Sequence, residues 1–183
     1  MIKVRRGVFE TNSSSTHSIA VSKEKVNTTK LPKTIHFDIG EFGWNAEEVN
    51  PASYLYTHIV CWEDMTDYYL EELKQFLDRL GVEYTFSEPK YDRYGLIDGY
   101  VDHIEYGFVT WVFESEDRLM RYLFGNTHVY TGNDNSCDDF ETEYSTRLLA
   151  CKEAEKWDED TGYQYMLNPY HDEEKNEYYY KGN

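Results

Sequence analysis

The residues best suited to chemistry lie near the start of the chain. A run of six small polar residues, 11–16, is followed at once by His17 and preceded by Glu10. Arg5 and Arg6 lie a few positions earlier. A histidine titrates near neutral pH and can exchange protons with a carboxylate. Arginine binds phosphate oxygens through paired donors. This set predicts chemistry on a phosphodiester.

RNA cleavage without a metal ion fits these residue types. It needs a base for the 2′-hydroxyl, an acid for the leaving oxygen and cations that stabilise the phosphorane. We assign His17 and Glu10 as the acid–base pair, and Arg5 and Arg6 to the phosphate. The residues that could hydrogen-bond ribose or phosphate oxygens are Asn12, Ser13, Ser14, Ser15 and Thr16. The alternative is that the polar run is only a well-satisfied turn and His17 an ordinary strand residue.

A β-hairpin is the element expected to position these groups. Residues 1–10 and 17–22 both have the composition of strands, and the polar run between them is rich in turn-forming residues. Pairing of the two strands would bring Glu10 close to His17. The sequence therefore predicts an N-terminal β-hairpin over residues 1–22, with its chemical groups at the turn.

Charge is divided unevenly along the chain. Residues 1–33 contain seven basic and two acidic residues, a net charge of +5, whereas the whole chain carries −17 and the remainder therefore −22. An acidic surface repels phosphates, which excludes broad nucleic-acid binding by the body. It suits a basic protein partner instead. The alternative is a solubilising acidic surface with a basic edge hairpin, since lysines often protect sheet edges.

The bulk composition predicts one globular domain over residues 1–183. The chain is 40% hydrophobic and 17% aromatic, with 18 tyrosines, which is enough to form a core despite the charge. The cysteines, Cys61, Cys137 and Cys151, are odd in number and scattered, which favours a reducing compartment. We find no long apolar run and no signal-peptide pattern, so we expect a cytoplasmic protein that does not bind membranes.

The pattern of apolar residues predicts an α+β fold with a mostly antiparallel sheet and several helices. The predicted helices run from Pro51 to about Glu63, from a Thr66 cap to Gly81, from a Ser115 cap to Gly125, and from Phe140 to about Trp157. The predicted strands cover residues 34–39, 82–86, 106–113, 127–130 and 163–167, with 106–113 central. Residues 131–139 are predicted to form a loop and 171–183 a loose tail.

A second polar segment, residues 132–139, contains asparagines and aspartates that could hold a divalent cation. It lacks the turn glycine and closing glutamate of an EF-hand. The interpretation that we favour is a turn leading into the next helix. We therefore expect neither a metal ion nor a cofactor.

Two segments resemble a known family. Residues 5–19, RRGVFETNSSSTHSI, are similar to the N-terminal signature of small proteins from phages and mobile elements of Gram-positive and gut bacteria. Residues 130–135, YTGNDN, resemble a second block of that family. Some members are anti-CRISPR proteins that inhibit the RNA-guided DNA nuclease of type II systems. At least one related inhibitor promotes truncation of the guide RNA and requires its N-terminal hairpin.

The resemblance implies a function consistent with the charge division. An acidic body would bind the basic nuclease, and the N-terminal hairpin would reach the guide RNA held in the nuclease's positive channel. Two alternatives remain open. The protein could be a stoichiometric inhibitor whose acidic body mimics DNA and blocks the target-DNA or PAM-duplex site. It could also be a phage protein of another role whose hairpin binds a different polar ligand.

Overall fold

The computed structural model describes residues 15–44, 47–91, 93, 97, 99–102, 104 and 106–133, together with three strands at 156–157, 164–165 and 177–182. Only the backbone is described at residues 15, 16, 18 and 133 and in the three later strands. The strands are β1 (Ser15–Ser22), β2 (Thr34–Phe37), β3 (Glu41–Phe42), β4 (Glu47–Val49), β5 (Glu83–Phe86), β6 (Tyr100–Val101), β7 (Thr127–Asn133), β8 (Lys156–Trp157), β9 (Gln164–Tyr165) and β10 (Glu177–Gly182). The helices are α1 (Pro51–Cys61), α2 (Thr66–Leu80), α3 (Tyr106–Phe113) and α4 (Glu116–Phe124).

The largest sheet has the strand order β10-β1-β7-β4, and each pair in it is antiparallel. Two parallel pairs, β2 with β5 and β3 with β6, lie outside this sheet. Helices α1 and α4 pack against the sheet, and α3 packs against both helices. The predicted α+β class with a mostly antiparallel sheet is confirmed.

The core forms where the sheet meets these helices. Ile19, Val21 and Val129 from the sheet, and Leu55 and Ile59 from α1, are fully buried there. Apolar burial of this kind is the main source of folding free energy. β1 thus lies at the centre of both the sheet and the core.

Local sequence signals explain most helix ends. The Asn50 side chain accepts a hydrogen bond from Ser53 N and caps α1, and the Ser115 side chain does the same for α4 through Arg118 N. Gly81 ends α2 in the left-handed conformation, at φ +66°, as predicted. Thr66 is not the predicted cap but the first residue of α2, and its hydroxyl donates to the carbonyl oxygens of α1's last turn.

The prediction of a central strand over residues 106–113 is wrong, because this segment is helix α3. Its run of aromatic and β-branched residues lacks alternation, and such a short apolar run does not distinguish a strand from a buried helix. In the helix, Phe108, Val109 and Val112 share a buried face, whereas Thr110 is exposed. Packing against α1 and α4 therefore overrides the β propensity of the residues.

The predicted hairpin paired residues 17–22 with residues 1–10. Residues 17–22 do form a strand, as part of β1, but its partners are different. β1 pairs with β7 from Ser15 to Val21 and with β10 from His17 to Ser22. A strand has only two edges, so residues 17–21 of β1 have none left for residues 1–10. Residues 1–10 themselves lie outside the described residues.

The C-terminal segment contributes structure that the sequence did not predict. Residues 177–182, expected to be part of a loose tail, form β10 at the edge of the main sheet. Residues 131–133, expected to be a loop, extend β7, and residues 156–157, expected in a helix, form β8. The strand predicted at 163–167 is present as β9. The rest of the predicted helix from Phe140 lies outside the described residues.

Replacing Arg121 by alanine is expected to lower the free energy of unfolding by about 2 kcal/mol, because hydrogen bonds to a charged group contribute more than neutral ones. The Arg121 side chain is only 13% exposed. It pairs with Asp117 on α4 and donates to the carbonyl oxygens of Lys23 and Glu24, which tie the end of β1 to this helix. Urea denaturation measures the change.

Arg79 provides the matched control for this prediction. It also forms an ion pair, with Glu116, but its side chain is 52% exposed. Exposed pairs contribute below about 1 kcal/mol. Equal losses for Arg79→Ala and Arg121→Ala would contradict the proposed role of Arg121 in holding β1.

Candidate functional site

The two sequence blocks that carry the family resemblance are neighbours in the main sheet. They lie more than a hundred residues apart in the chain, yet β1 contains the end of the first block and β7 the start of the second. The paired positions are Ser15 with Asn133, Thr16 with Gly132, His17 with Thr131, and Ser18 with Tyr130. Both blocks therefore meet at one end of these two strands.

The structure describes three of the nine predicted site residues. Ser15 and Thr16 are described by their backbone, as the first two residues of β1. His17 is described in full. The other six, Arg5, Arg6, Glu10, Asn12, Ser13 and Ser14, lie outside the described residues, so their roles and their proximity to His17 stay predictions.

His17 lies in the core, as a residue of strand β1, and not at the surface where the predicted acid–base role would require it. It is 2% exposed. It occupies the same face of β1 as Ile19 and Val21, because alternate residues of a strand point to one side. The alternation of residues 17, 19 and 21 was the sequence signal for this burial.

Both ring nitrogens of His17 are hydrogen-bonded inside the protein. Nε2 lies 2.7 Å from the carbonyl oxygen of Asp102, and Nδ1 lies 2.8 Å from the hydroxyl of Tyr54. A carbonyl oxygen only accepts, so Nε2 carries the hydrogen, and in the neutral ring Nδ1 accepts from Tyr54. In this conformation neither nitrogen faces solvent or a substrate. The geometry gives His17 a structural role, linking β1 to α1 and to the residue after β6.

Tyr54 extends this buried polar cluster into helix α1. Its ring centroid lies 4.4 Å from that of His58 and 5.1 Å from that of Phe108. His58 Nδ1 donates to the carbonyl oxygen of Tyr54, at 3.0 Å. Burial lowers the pKa of His58 to about 3, against the opposing effect of this hydrogen bond. His58 is therefore neutral throughout the physiological range.

The backbone at Gly43 packs closely against Asp102 and His17 of this cluster. Gly43 has φ +105°, a conformation that side chains disfavour. A Cβ atom there would lie 2.7 Å from Cβ of Asp102 and 3.2 Å from Cε1 of His17. No short sequence motif marks Gly43, Tyr54 or Asp102 as part of the site, because these residues meet His17 only through tertiary packing.

Helix α2 and the residues just before it form one acidic part of the described surface. Between residues 63 and 79 the net charge is −4, from six acidic and two basic residues. The exposed acidic residues of this segment, which we call the α2 surface, are Glu63, Asp64, Asp67, Glu71, Glu72 and Asp78. An exposed tyrosine, Tyr68, lies among them. Such a surface attracts basic proteins and repels nucleic acid.

The second polar segment is described only at its beginning. Gly132 and Asn133 belong to β7, and residues 134–139 lie outside the described part. Within that part, no group of three His, Cys, Asp or Glu side chains is arranged to hold a metal ion. Likewise, none of the described helices combines the length and apolar character needed to cross a membrane.

Comparisons with known proteins bring no assignment of family or activity. No family model, no curated protein and no solved structure matches this chain.

Proposed function

We propose that this protein is an anti-CRISPR protein that binds the type II CRISPR effector nuclease in the cytoplasm of a bacterial host. In this proposal the acidic body contacts the nuclease, and the segment formed by residues 5–16 acts against the guide RNA. The proposal rests on the resemblance of residues 5–19 and 130–135 to that family.

One structural observation carries most of the support. The two resembling blocks are far apart in sequence, but they pair in register at one end of β1 and β7. If both blocks contribute to one functional site, they must lie next to each other in the fold, and this pairing places them there.

The charge distribution gives independent support for a basic protein partner. The α2 surface is exposed and carries a net negative charge. An RNA-guided nuclease contains a positively charged channel for its nucleic acids. Complementary charge accelerates such an encounter and favours it over contact with free nucleic acid.

The burial of His17 changes the expected mechanism. An acid–base group must lie within hydrogen-bond reach of the proton that it transfers. His17 is enclosed and uses both nitrogens internally, so we do not assign guide-RNA cleavage to it. Arg5 and Arg6 remain the proposed phosphate contacts. The same burial favours the second candidate function, a stoichiometric inhibitor whose acidic body blocks the DNA-binding site.

A denaturing gel of guide RNA tests the proposal. The RNA is incubated with the protein, with and without the type II nuclease and with and without chelator, and target-DNA cleavage is measured in parallel. We expect the nuclease to be inhibited and a shortened RNA to appear only when the nuclease is present. Intact RNA with inhibited DNA cleavage would instead identify the stoichiometric inhibitor. Failure to bind or inhibit type II nucleases would overturn the proposal.

Two double variants locate the activity in the N-terminal segment. Arg5→Ala with Arg6→Ala is expected to abolish RNA truncation while binding of the nuclease persists, because these side chains are assigned to the phosphate. Lys25→Ala with Lys30→Ala removes the same charge from two exposed positions beyond β1 and is expected to leave truncation unchanged. Equal effects of both double variants would argue for nonspecific loss of charge.

A further inference from the structure

An exposed tryptophan covers the parallel pair β3–β6. Trp44 is 55% exposed, and its ring centroid lies 6.0 Å from that of Tyr100 at an interplanar angle of 36°. An exposed large aromatic side chain held by a second ring is typical of recognition sites, where rigid aromatic groups contribute most of the binding energy.

Acidic groups surround these two rings. Glu41 lies directly opposite Tyr100 in the β3–β6 register, on the same face of the pair, and it is exposed. The Tyr100 hydroxyl donates to Oδ1 of Asp102 at 2.6 Å. Burial, the hydrogen bond to Asp102 and the Asp102 charge together raise the pKa of Tyr100, so its hydroxyl stays protonated and remains a donor.

The surface next to Glu41 is acidic as well. A cleft of about 640 Å³ is lined there by the carboxylates of Asp38, Glu41 and Glu88 and by a single lysine, Lys90. This excess of negative charge disfavours the phosphates of RNA and favours a cation. A cationic group over the face of a tryptophan gains a further electrostatic attraction.

Packing and a hydrogen bond connect these rings to β1, which contains the last residues of the resembling block, 15–19. The carbonyl oxygen of Asp102 accepts the hydrogen bond from His17 Nε2. Gly43, immediately before Trp44, approaches both Asp102 and His17 closely. The aromatic surface therefore lies at the same end of β1 as Ser15 and Thr16, where the N-terminal segment enters the sheet.

We propose that Trp44, Tyr100, Glu41 and Asp102 form a recognition site for an arginine side chain of a protein partner. This inference deepens the proposed function and rests on it for the identity of the partner. The guanidinium would stack on Trp44 and pair with a carboxylate. Arginine suits the site better than lysine, because its planar group both stacks on aromatic rings and binds carboxylates through two donors.

Peptide binding tests the site without the nuclease. Isothermal titration with a nona-arginine peptide is expected to show binding that Trp44→Ala weakens about five-fold, in line with the contribution of an exposed cation–π contact. Tyr68→Ala provides the matched control, because Tyr68 is 56% exposed but lies on the α2 surface. Glu41→Gln is expected to weaken binding more than Glu72→Gln. Thermal unfolding of each variant verifies its fold.

Three outcomes would overturn the arginine site. The first is equal peptide affinity for Trp44→Ala and Tyr68→Ala, and the second is a nona-lysine peptide that binds as tightly as nona-arginine with the same dependence on Trp44. The third is Trp44-dependent binding of a single-stranded RNA oligonucleotide without binding of the peptide, which would identify a base-stacking surface.

Binding of the nuclease, measured beside binding of the peptide, distinguishes failure of the arginine site from failure of the proposed function. If the wild-type protein does not bind the nuclease but Trp44-dependent arginine binding persists, the proposed function fails and the arginine site stands. If the nuclease binds Trp44→Ala and Glu41→Gln as tightly as the wild type, and peptide affinity is also unchanged, the arginine site fails and the proposed function stands.

Discussion

Replacing His17 by alanine is expected to lower the free energy of unfolding by about 3 kcal/mol. The substitution leaves a buried cavity and removes two internal hydrogen bonds, and both changes destabilise the folded state. His17 is 2% exposed and bonds to the Tyr54 hydroxyl and the Asp102 carbonyl oxygen. These bonds connect three segments that are distant in sequence. Urea denaturation followed by circular dichroism measures the loss.

His36 is the matched control for this substitution. It also lies in a strand and also has both ring nitrogens hydrogen-bonded, to Thr85 and Asp38, but its side chain is 53% exposed. We expect His36→Ala to cost below about 1 kcal/mol, because water replaces bonds lost at an exposed position. The contrast between the two histidines isolates the effect of burial.

The same variant distinguishes a structural His17 from a catalytic one. A structural role predicts that any loss of guide-RNA truncation in His17→Ala accompanies a loss of folded protein. A variant that is as stable as the wild type, binds the nuclease and fails only in truncation would contradict this, and would restore the acid–base assignment. A double-mutant cycle with Tyr54→Phe measures the coupling between the two side chains, which we expect to exceed about 0.5 kcal/mol for groups in contact.

Much of the fold could be predicted where local signals act alone. The Ser115 cap and the Gly81 terminator define helix ends through hydrogen bonds and backbone conformation that depend on a few neighbouring residues. Alternating residues predicted β2 and β5 correctly. For the two helix ends the deciding interaction lies within one turn of the chain, and for the two strands the alternation itself marks the buried side.

The errors occurred where tertiary packing decides. Residues 106–113 have the composition of a strand but become a helix because α1 and α4 bury one of its faces. Residues 177–182 carry many charges and tyrosines, yet they form β10 because an edge of β1 is available to them. A single sequence contains no signal for a partner that lies more than 150 residues away.

The candidate site was only partly predictable for the same reason. The alternation of His17 with Ile19 and Val21 indicated a buried face, but the dense polar run before it suggested exposure. Tyr54 and Asp102 meet His17 only in the folded chain, at separations of 37 and 85 residues. The arginine site likewise depends on the β3–β6 pairing, which joins Glu41 to Tyr100.

Acidification is expected to destabilise the protein through His58. Its pKa is about 3 in the fold and about 6.5 in the unfolded chain. Between these two pKa values the unfolded state binds a proton that the folded state does not, so the free energy of unfolding falls as the pH is lowered. Above pH 6.5 His58 is neutral in both states, and its contribution to the free energy of unfolding no longer changes with pH. The free energy of unfolding falls by about 1.4 kcal/mol per pH unit in this range, so it is lower by about 3 kcal/mol at pH 4.

The variant His58→Leu isolates this contribution, because leucine is apolar and does not titrate. Urea denaturation at several pH values is expected to show a shallower decrease in stability between pH 6.5 and pH 4 for His58→Leu than for the wild type, whatever its stability at neutral pH. His128→Gln is the control, since His128 is partly exposed and pairs with Glu48 at the surface. An unchanged slope in His58→Leu would show that His58 does not limit acid stability, and would assign the loss to other titrating groups, such as Asp38 and Asp117, whose pKa values are lowered in the fold.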